Sequence, residues 1–266
     1  MPEPRQEEPP SSHKTTLSEK NDNKMYELSF AAAGENGAGS YDLAPDAGRF
    51  TSAQLERVAA GFDRRPVYRF AKRAFDVAFS ACVLVVLSPL LLAIALAVFL
   101  DDPHGSPLFF QERVGLRGRT FRMVKFRTMC VDAEQRLDAL MGANEKDGPV
   151  FKIAEDPRVT RAGRLLRKTS LDELPQFWNV LAGDMSIVGP RPALPREVAQ
   201  YSGRERLRLS VRPGITCYWQ TRRNRDSISF AEWVDLDLLY VLKASLWTDV
   251  KLIMQTVGCV LTGQGE

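Results

Sequence analysis

Residues 77–100 form an unbroken run of 24 residues without a charged side chain, bracketed by Asp76 and Asp101. No other feature limits the fold as tightly. A straight helix of that length would be roughly 36 Å long, enough to cross a bilayer. Ser88-Pro89 falls at its midpoint. Proline removes one backbone hydrogen bond and clashes with the preceding turn. A serine hydroxyl or neighbouring structure can take up the freed carbonyl. Each half is then about 17 Å long, too short to span the hydrocarbon. Two such halves can form a hairpin that enters and leaves on one side. Lys/Arg-rich flanks mark the cytoplasmic side of a membrane segment. Arg64, Arg65, Arg69, Lys72 and Arg73 precede the run, and Arg113, Arg117, Arg119, Arg122, Lys125 and Arg127 follow it. Both ends read as cytoplasmic, so the run reads as a re-entrant membrane helix kinked at Ser88 and Pro89.

The remaining chain divides around this segment. Residues 1–62 are rich in Pro, Ser, Glu, Asn, Gly and Ala and read as a disordered, low-complexity extension. A short helix-like piece stands near residues 54–60. Residues 63–103 hold the basic lead and the membrane helix, and residues 104–266 form a cytosolic domain. Residues 108–111 and Thr120–Phe126 are strand-like around Gly115 and Gly118, which predicts a hairpin. The spacing predicts helices over 131–142, 174–182, 230–242 and 246–260. The last has an apolar face suited to the membrane interface or to ordinary core packing. The expected fold class is α+β, predominantly helical. It combines a re-entrant helix with a small cytosolic domain holding a short β-hairpin and interfacial amphipathic helices.

Several function classes drop out on composition. A net charge of +3 is too mild for nucleic acid, and no basic-aromatic motif is present. The four cysteines contain no CxxC pair, so neither a zinc site nor a disulfide framework is indicated. His13 and His104 are the only histidines, and neither sits in a context that favours a histidine mechanism. Acid–base or nucleophilic work falls to carboxylates.

The stretch that carries chemistry is 164–195, where Asp172-Glu173 lies between Arg164, Arg167, Lys168 and Arg191. Ser170-x-x-Glu173 also matches a capping box, which would make the pair structural. Pro175 weakens that reading, because it would then stand inside the helix where its missing N–H matters. A helix starting nearer Leu174 suits Pro175 better and leaves both carboxylates just ahead of the first turn. An ionised carboxylate can attack phosphorus and hold a phosphoryl group. Arginines and a divalent metal neutralise a diphosphate.

These blocks resemble the bacterial sugar transferases, also called monotopic phosphoglycosyl transferases, from Lys72 to Val260. The resemblance runs through Lys72-Arg73-x-Phe75-Asp76, Ser88-Pro89, Lys125-Phe126-Arg127-Thr128-Met129 and Asp156-Pro157-Arg158-Val159-Thr160. It continues through Leu166-Arg167-Lys168-x-Ser170-Leu171-Asp172-Glu173-Leu174-Pro175-Gln176 and Met185-Ser186-Ile187-Val188-Gly189-Pro190-Arg191-Pro192. Arg212-Pro213-Gly214-Ile215-Thr216 and Asp237-x-x-Tyr240 complete it. It implies that Asp172 is the nucleophile taking sugar-1-phosphate from a UDP-sugar and releasing UMP. Glu173 would complete the dyad, with Asp172 and Glu173 holding Mg2+. Lys125 and Arg167 would face phosphate, the Pro190-Arg191-Pro192 loop would present Arg191 to the active site, and Arg127, Arg212, Asp237 and Tyr240 would contribute to substrate binding. Undecaprenyl phosphate would be the acceptor, at the cytoplasmic face of a bacterial inner membrane, in the first step of exopolysaccharide, capsule or O-antigen assembly. The implied partners are thus UDP-sugar, undecaprenyl phosphate and membrane lipids, with no nucleic acid. A homo-oligomer is compatible with the sequence.

The chain departs from the family pattern at Cys217, where glycine is usual, and at Thr221-Arg222-Arg223-Asn224-Arg225. Those changes bear on which sugar is used and leave the dyad untouched. Two rival readings remain at this point. Asp235-x-Asp237 is a DxD pair, which in a metal-dependent glycosyltransferase would move sugar without phosphate. A non-catalytic membrane scaffold of polysaccharide assembly is the other.

Overall fold

The computed structural model describes residues 50–140, 142, 144, 145, 147–151, 153, 155–221 and 228–261. The expected extension therefore falls largely outside the described residues, as does most of the 221–225 stretch. The helix-like piece expected near residues 54–60 is present. Ser52–Ala59 is a helix (α1) with a reciprocal capping box between Thr51 and Gln54. Its Leu55 and Val58 are buried in the main core.

Pro66–Val86 (α2) starts on a proline at its first turn, where the missing N–H costs nothing. Ser88–Asp101 (α3) follows after a single residue, Leu87, and the two helices meet at 63°. The cause of the bend is local. Pro89 cannot donate to the Val85 carbonyl, and the Ser88 hydroxyl donates to that oxygen instead, at 2.8 Å. Among the described residues, no single helix is long and apolar enough to cross a membrane. The bent pair passes that test only when taken together.

Leu108–Val114 (β1) and Thr120–Phe126 (β2) form the expected antiparallel hairpin, with Phe109 opposite Lys125. The helix expected over 131–142 shrinks to Leu137–Leu140 (α4), preceded by turns. Arg161–Lys168 (α5) is capped by Thr160, whose hydroxyl accepts from the Gly163 amide at 3.0 Å. Gly163 lies directly on the Thr128 backbone: a Cβ there would sit 2.1 Å from the Thr128 carbonyl oxygen. Only glycine lets α5 approach the end of β2 so closely.

Gln176–Ala182 (α6) ends at Gly183, whose φ of 94° is easy only for glycine. Ser186–Val188 (β3) and Gly214–Thr216 (β4) make a second, parallel pair that the sequence did not reveal. Pro195–Val198 (α7) and Gly203–Arg206 (α8) lie between them, and Phe230–Lys243 (α9) and Leu246–Leu261 (α10) close the chain. The last two match the expected helices to within a residue. The core gathers Val180 of α6, Met185, Ile187 and Val188 of β3, Val234 and Leu238 of α9, and Leu252 of α10. The mainly helical α+β class is as expected.

A buried polar network ties α2 to this core. Lys72 Nζ lies 3.0 Å from Asp249 Oδ2, and Tyr68 donates to the same oxygen at 3.0 Å. Asp76 accepts from the Ser186 hydroxyl at 2.7 Å and from the Ile187 amide at 3.3 Å. Buried charges persist only when paired in this way. Arg73 donates to the Val180 and Leu181 carbonyls at 2.6 and 2.9 Å at the end of α6, adding to the bond that the Gly183 amide gives the Val180 oxygen.

Candidate functional site

The dyad stands where helix-start chemistry suggested. Leu171–Glu173 is a single 3-10 turn, and α6 begins after Pro175. The Ser170 side chain makes no capping bond, so the capping-box reading fails. Ser170 instead takes a left-handed φ of 53°, which turns the chain sharply from α5 into the dyad. Asp172 is buried, 8% exposed.

Asp172 and Glu173 open into a cavity of about 580 Å³. Lys125, Arg158, Arg164, Arg167 and Arg191 line it, with Glu145, Glu155 and Asp156 on the acidic side. Each element brings its own contribution. On β2, side chains alternate, so Phe121 and Met123 turn into the core and Lys125 follows them to that face. Gly163 brings α5 close enough for Arg167 Nε to donate to the Thr128 hydroxyl at 3.1 Å. Arg158 grips Asp156 through two nitrogens, at 2.9 and 2.6 Å, and this ion pair holds the Asp156 carboxyl below its usual range.

The Pro190-Arg191-Pro192 loop is fastened to the edge of β1. The Val114 amide donates to the Ala193 carbonyl at 2.8 Å, and buried Arg113 donates to the Pro192 carbonyl at 2.9 Å. Arg191 then lies about 6 Å from the stacked rings of Trp219 and Trp233, whose centroids are 4.2 Å apart. The Lys125 amine is pushed down to about 8. Burial is the main cause and the Arg113 charge adds to it, while Asp172 pulls the other way. Arg113 is likewise lowered to about 10 by burial and by Arg191.

Five of the expected site residues meet here: Lys125, Arg167, Asp172, Glu173 and Arg191. Four others stand outside this cavity. Arg127 is buried and bonds Asp102 and the Gly105 carbonyl, fixing the loop after α3. Arg212 donates to the Gly183 carbonyl at 2.8 Å and so caps α6 beside Arg73. Asp237 is fully buried and paired with Arg208 at 2.7 Å. The Tyr240 hydroxyl lies 2.8 Å from Asp249 and 3.0 Å from the Val188 carbonyl. Each of the four thus has a partner within the fold. The DxD reading fails for the same reason: Asp235 pairs with Arg204, Asp237 with Arg208, and both sit within α9. Ser88 and Pro89 stand at the helix break, as expected.

Sequence reasoning placed Arg164 beside the dyad but missed Arg158, Trp219 and Trp233 as residues lining the cavity. Arg158 stood inside a quoted motif and gave a usable signal; the two tryptophans, 14 positions apart, gave none.

The chain matches the sequence profile of bacterial sugar transferases over residues 67–263. It is 44% identical over 195 residues to the galactosyl transferase CpsE of Streptococcus agalactiae, covering 73% of this chain and 43% of that protein. It is 38% identical over 204 residues to the undecaprenyl-phosphate galactose phosphotransferase of Salmonella typhimurium, covering 74% and 42%. It is 39% identical over 207 residues to the exopolysaccharide production protein ExoY of Sinorhizobium fredii, covering 76% and 90%. The chain thus spans less than half of the first two relatives and most of the third. By its profile match over most of its length, the chain belongs to the bacterial sugar transferases, a family of transferase enzymes.

Proposed function

We propose that this chain moves a sugar-1-phosphate from a UDP-sugar to undecaprenyl phosphate at the cytoplasmic face of a bacterial membrane, releasing UMP. The observation that carries the reading is the buried Asp172, beside Glu173, opening into a cavity that Lys125, Arg164, Arg167 and Arg191 also line. A carboxylate surrounded by cations is suited to meeting a diphosphate, whose two negative charges need neutralising.

In the first step an Asp172 carboxylate oxygen attacks the phosphorus that bears the sugar. The bond from that phosphorus to the UMP oxygen breaks, and UMP leaves with the electron pair. Lys125, Arg167 and Arg191 balance the charge on the transferring group. In the second step an oxygen of the lipid phosphate attacks the same phosphorus and the Asp172 carboxylate departs. The product is a diphosphate-linked lipid sugar, the starting unit for a polysaccharide. The Salmonella relative's name specifies undecaprenyl phosphate, and that acceptor is carried over here as part of the proposal.

Magnesium fits the donor set. Among the described residues, no group of three or more His, Cys, Asp or Glu is placed to hold a metal. Magnesium does not need one, since it typically uses one or two carboxylates together with substrate phosphates and water. Asp172 and Glu173 would supply the carboxylates. Bound there, the ion would neutralise charge on the diphosphate.

The bent pair α2–α3 would anchor the domain as a re-entrant hairpin. Val85, Val86, Leu92 and Leu100 are all at least 66% exposed around the bend, a surface that water does not favour. The deciding experiment is trapping with UDP-sugar alone. The expected result is protein heavier by one phosphosugar at Asp172, with UMP released in equal amount. Absence of that adduct in active protein, or release of UDP in place of UMP, would overturn the proposal.

A further inference from the structure

Because β3 and β4 run parallel, the loops that follow them leave from the same end of the pair. One of these loops carries Arg191. The other is a turn over residues 218–221, closed by the Thr221 hydroxyl, which donates to the Tyr218 carbonyl at 3.0 Å. Gln220 stands on this turn and lines the cavity that holds Asp172.

Cys217, between β4 and the turn, grips Gln220. Its sulfur lies 3.3 Å from Gln220 Oε1, and the residue is only 1% exposed. Burial raises the thiol well above its ordinary value and the Asp237 charge adds to this, while the Gln220 backbone N–H directed at the sulfur pulls the other way. The sulfur therefore keeps its proton, and its S–H donates to Oε1. Cys217 thus accepts from the backbone of Gln220 and donates to its side chain. That second bond orients the amide. With Oε1 turned to the thiol, the Nε2 branch is left as a donor, and it has no partner among the described residues.

We infer that Gln220 reads the sugar of the nucleotide-sugar donor, and that Cys217 is the positioning residue that aims it. The inference rests on the function proposed above. Two neutral groups flank the diphosphate of a UDP-sugar, and hydrogen bonding tells them apart. The edge of uracil alternates acceptor, donor, acceptor, and a glutamine matches it by offering oxygen and nitrogen together. Here the oxygen is engaged by the thiol, so that pairing is lost. A hydroxyl or acyl oxygen of a hexose needs only a donor, which Nε2 supplies. Arg191 lies 5.9 Å from the ring of Trp219, the neighbour of Gln220 in the chain, and so sets a cation nearby for the adjoining phosphate.

The test is a cycle that varies substrate and protein together. The preferred donor is first found among UDP-hexoses. Analogues each lacking one oxygen of its sugar are then compared on wild type and on Gln220→Met, which keeps the length of the side chain and removes the amide. Gln220 is half-buried at the cavity surface, so this change leaves the core intact. In wild type, the analogue without the read oxygen is expected to lose about fivefold in kcat/KM, the typical effect of one neutral hydrogen bond. In Gln220→Met the preferred donor should fall by that factor and the analogue should fall no further. Cys217→Ala frees the amide and should cut the discrimination to about twofold. Cys217→Ser restores a donor and should recover it. Inhibition by UMP, which carries the base and no sugar, should be the same in all four proteins.

Three results would overturn the inference. One is that no analogue couples to Gln220, all donors losing equally in Gln220→Met or none losing at all. Another is UMP inhibition weakened in step with the donor KM, which would put the base at Gln220. The third is wild-type discrimination in Cys217→Ala, which removes the positioning role. If wild-type protein forms no phosphosugar adduct with any UDP-sugar alone, the proposed function fails instead, and this readout tells the two failures apart.

Discussion

Two sets of charged side chains occupy this molecule, and they are arranged by opposite rules. In the cavity at Asp172, cations from β2, α5 and the Pro190-Arg191-Pro192 loop gather beside two adjacent carboxylates. Cations and carboxylates alike line that volume, Glu145, Glu155 and Asp156 among them, and burial together with the Arg191 charge lowers the pKa of nearby Arg113. Beneath α2 and inside α9, charges and polar groups are matched locally: Lys72 with Asp249, Asp237 with Arg208, Arg212 with the Gly183 carbonyl. Members of both sets lie in the motif blocks that mark the family: Lys125, Arg167, Asp172 and Arg191 in one, Lys72, Arg212 and Asp237 in the other. The difference teaches that a charged motif residue is assigned by whether its neighbours complete it. Where buried partners enclose it, it holds the fold together; where charged groups of both signs line an open volume, they are placed to meet a ligand.

The strongest way to break this contrast is to remove one member of each set. Asp172→Asn is expected to lower turnover by about a thousandfold or more, because it deletes the nucleophile, with the melting temperature nearly unchanged. Asp237→Ala should do the reverse. It leaves Arg208 buried without its charge partner, which costs about 3–5 kcal/mol of stability. Thermal unfolding and turnover measured on both variants decide the matter. Similar stability losses in the two would dissolve the distinction.

A smaller effect concerns pH. The folded Lys125 amine titrates near 8, against about 10.5 in an unfolded chain. Between those values the unfolded state binds the proton that the folded state has released, so stability rises with pH across that window. Activity should move the other way. The cation that balances phosphate is lost above about pH 8, and kcat/KM for the donor falls by about tenfold per unit beyond it. Lys125→Arg keeps the charge and is expected to remove the fall. A pH profile with the same decline in both proteins would show that Lys125 plays no such part.

The smallest expected effect lies at the helix break. Pro89→Ala restores an N–H for the Val85 carbonyl and relaxes the 63° bend. Single cysteines at Arg64 and Arg119 then report topology through membrane-impermeant labelling. Both are expected on one side in the wild type, with a fraction on opposite sides in the variant. Opposite sides in the wild type would end the hairpin reading.

The legible parts of the fold were those with short-range causes. Ser88-Pro89 announced a break, and the structure breaks there because one carbonyl changes its donor. Pro175 announced where α6 begins, which put the dyad on a turn rather than in a helix. Residues 131–142 misled: turns occupy 131–136, where Arg158 donates to the buried Ala133 carbonyl, and only Leu137–Leu140 is helix. Asp237 and Tyr240 show a different limit. Sharing a helix face is visible in sequence, but which neighbour that face meets is not.

By itself the sequence determined the apolar run and its kink, the β2 alternation that sends Lys125 one way and Val124 the other, and the dyad ahead of α6. All of these depend on residues within a turn or two of one another. Only the tertiary structure decided which charges are enclosed in the core and which line a cavity. Arg208, Arg212 and Asp249 each find partners 29 residues or more away, and Trp219 meets Trp233 and Arg191 only after the chain folds. A charge declares its sign in the sequence, but the electrostatic work it performs depends on distance and burial, and those exist only in three dimensions.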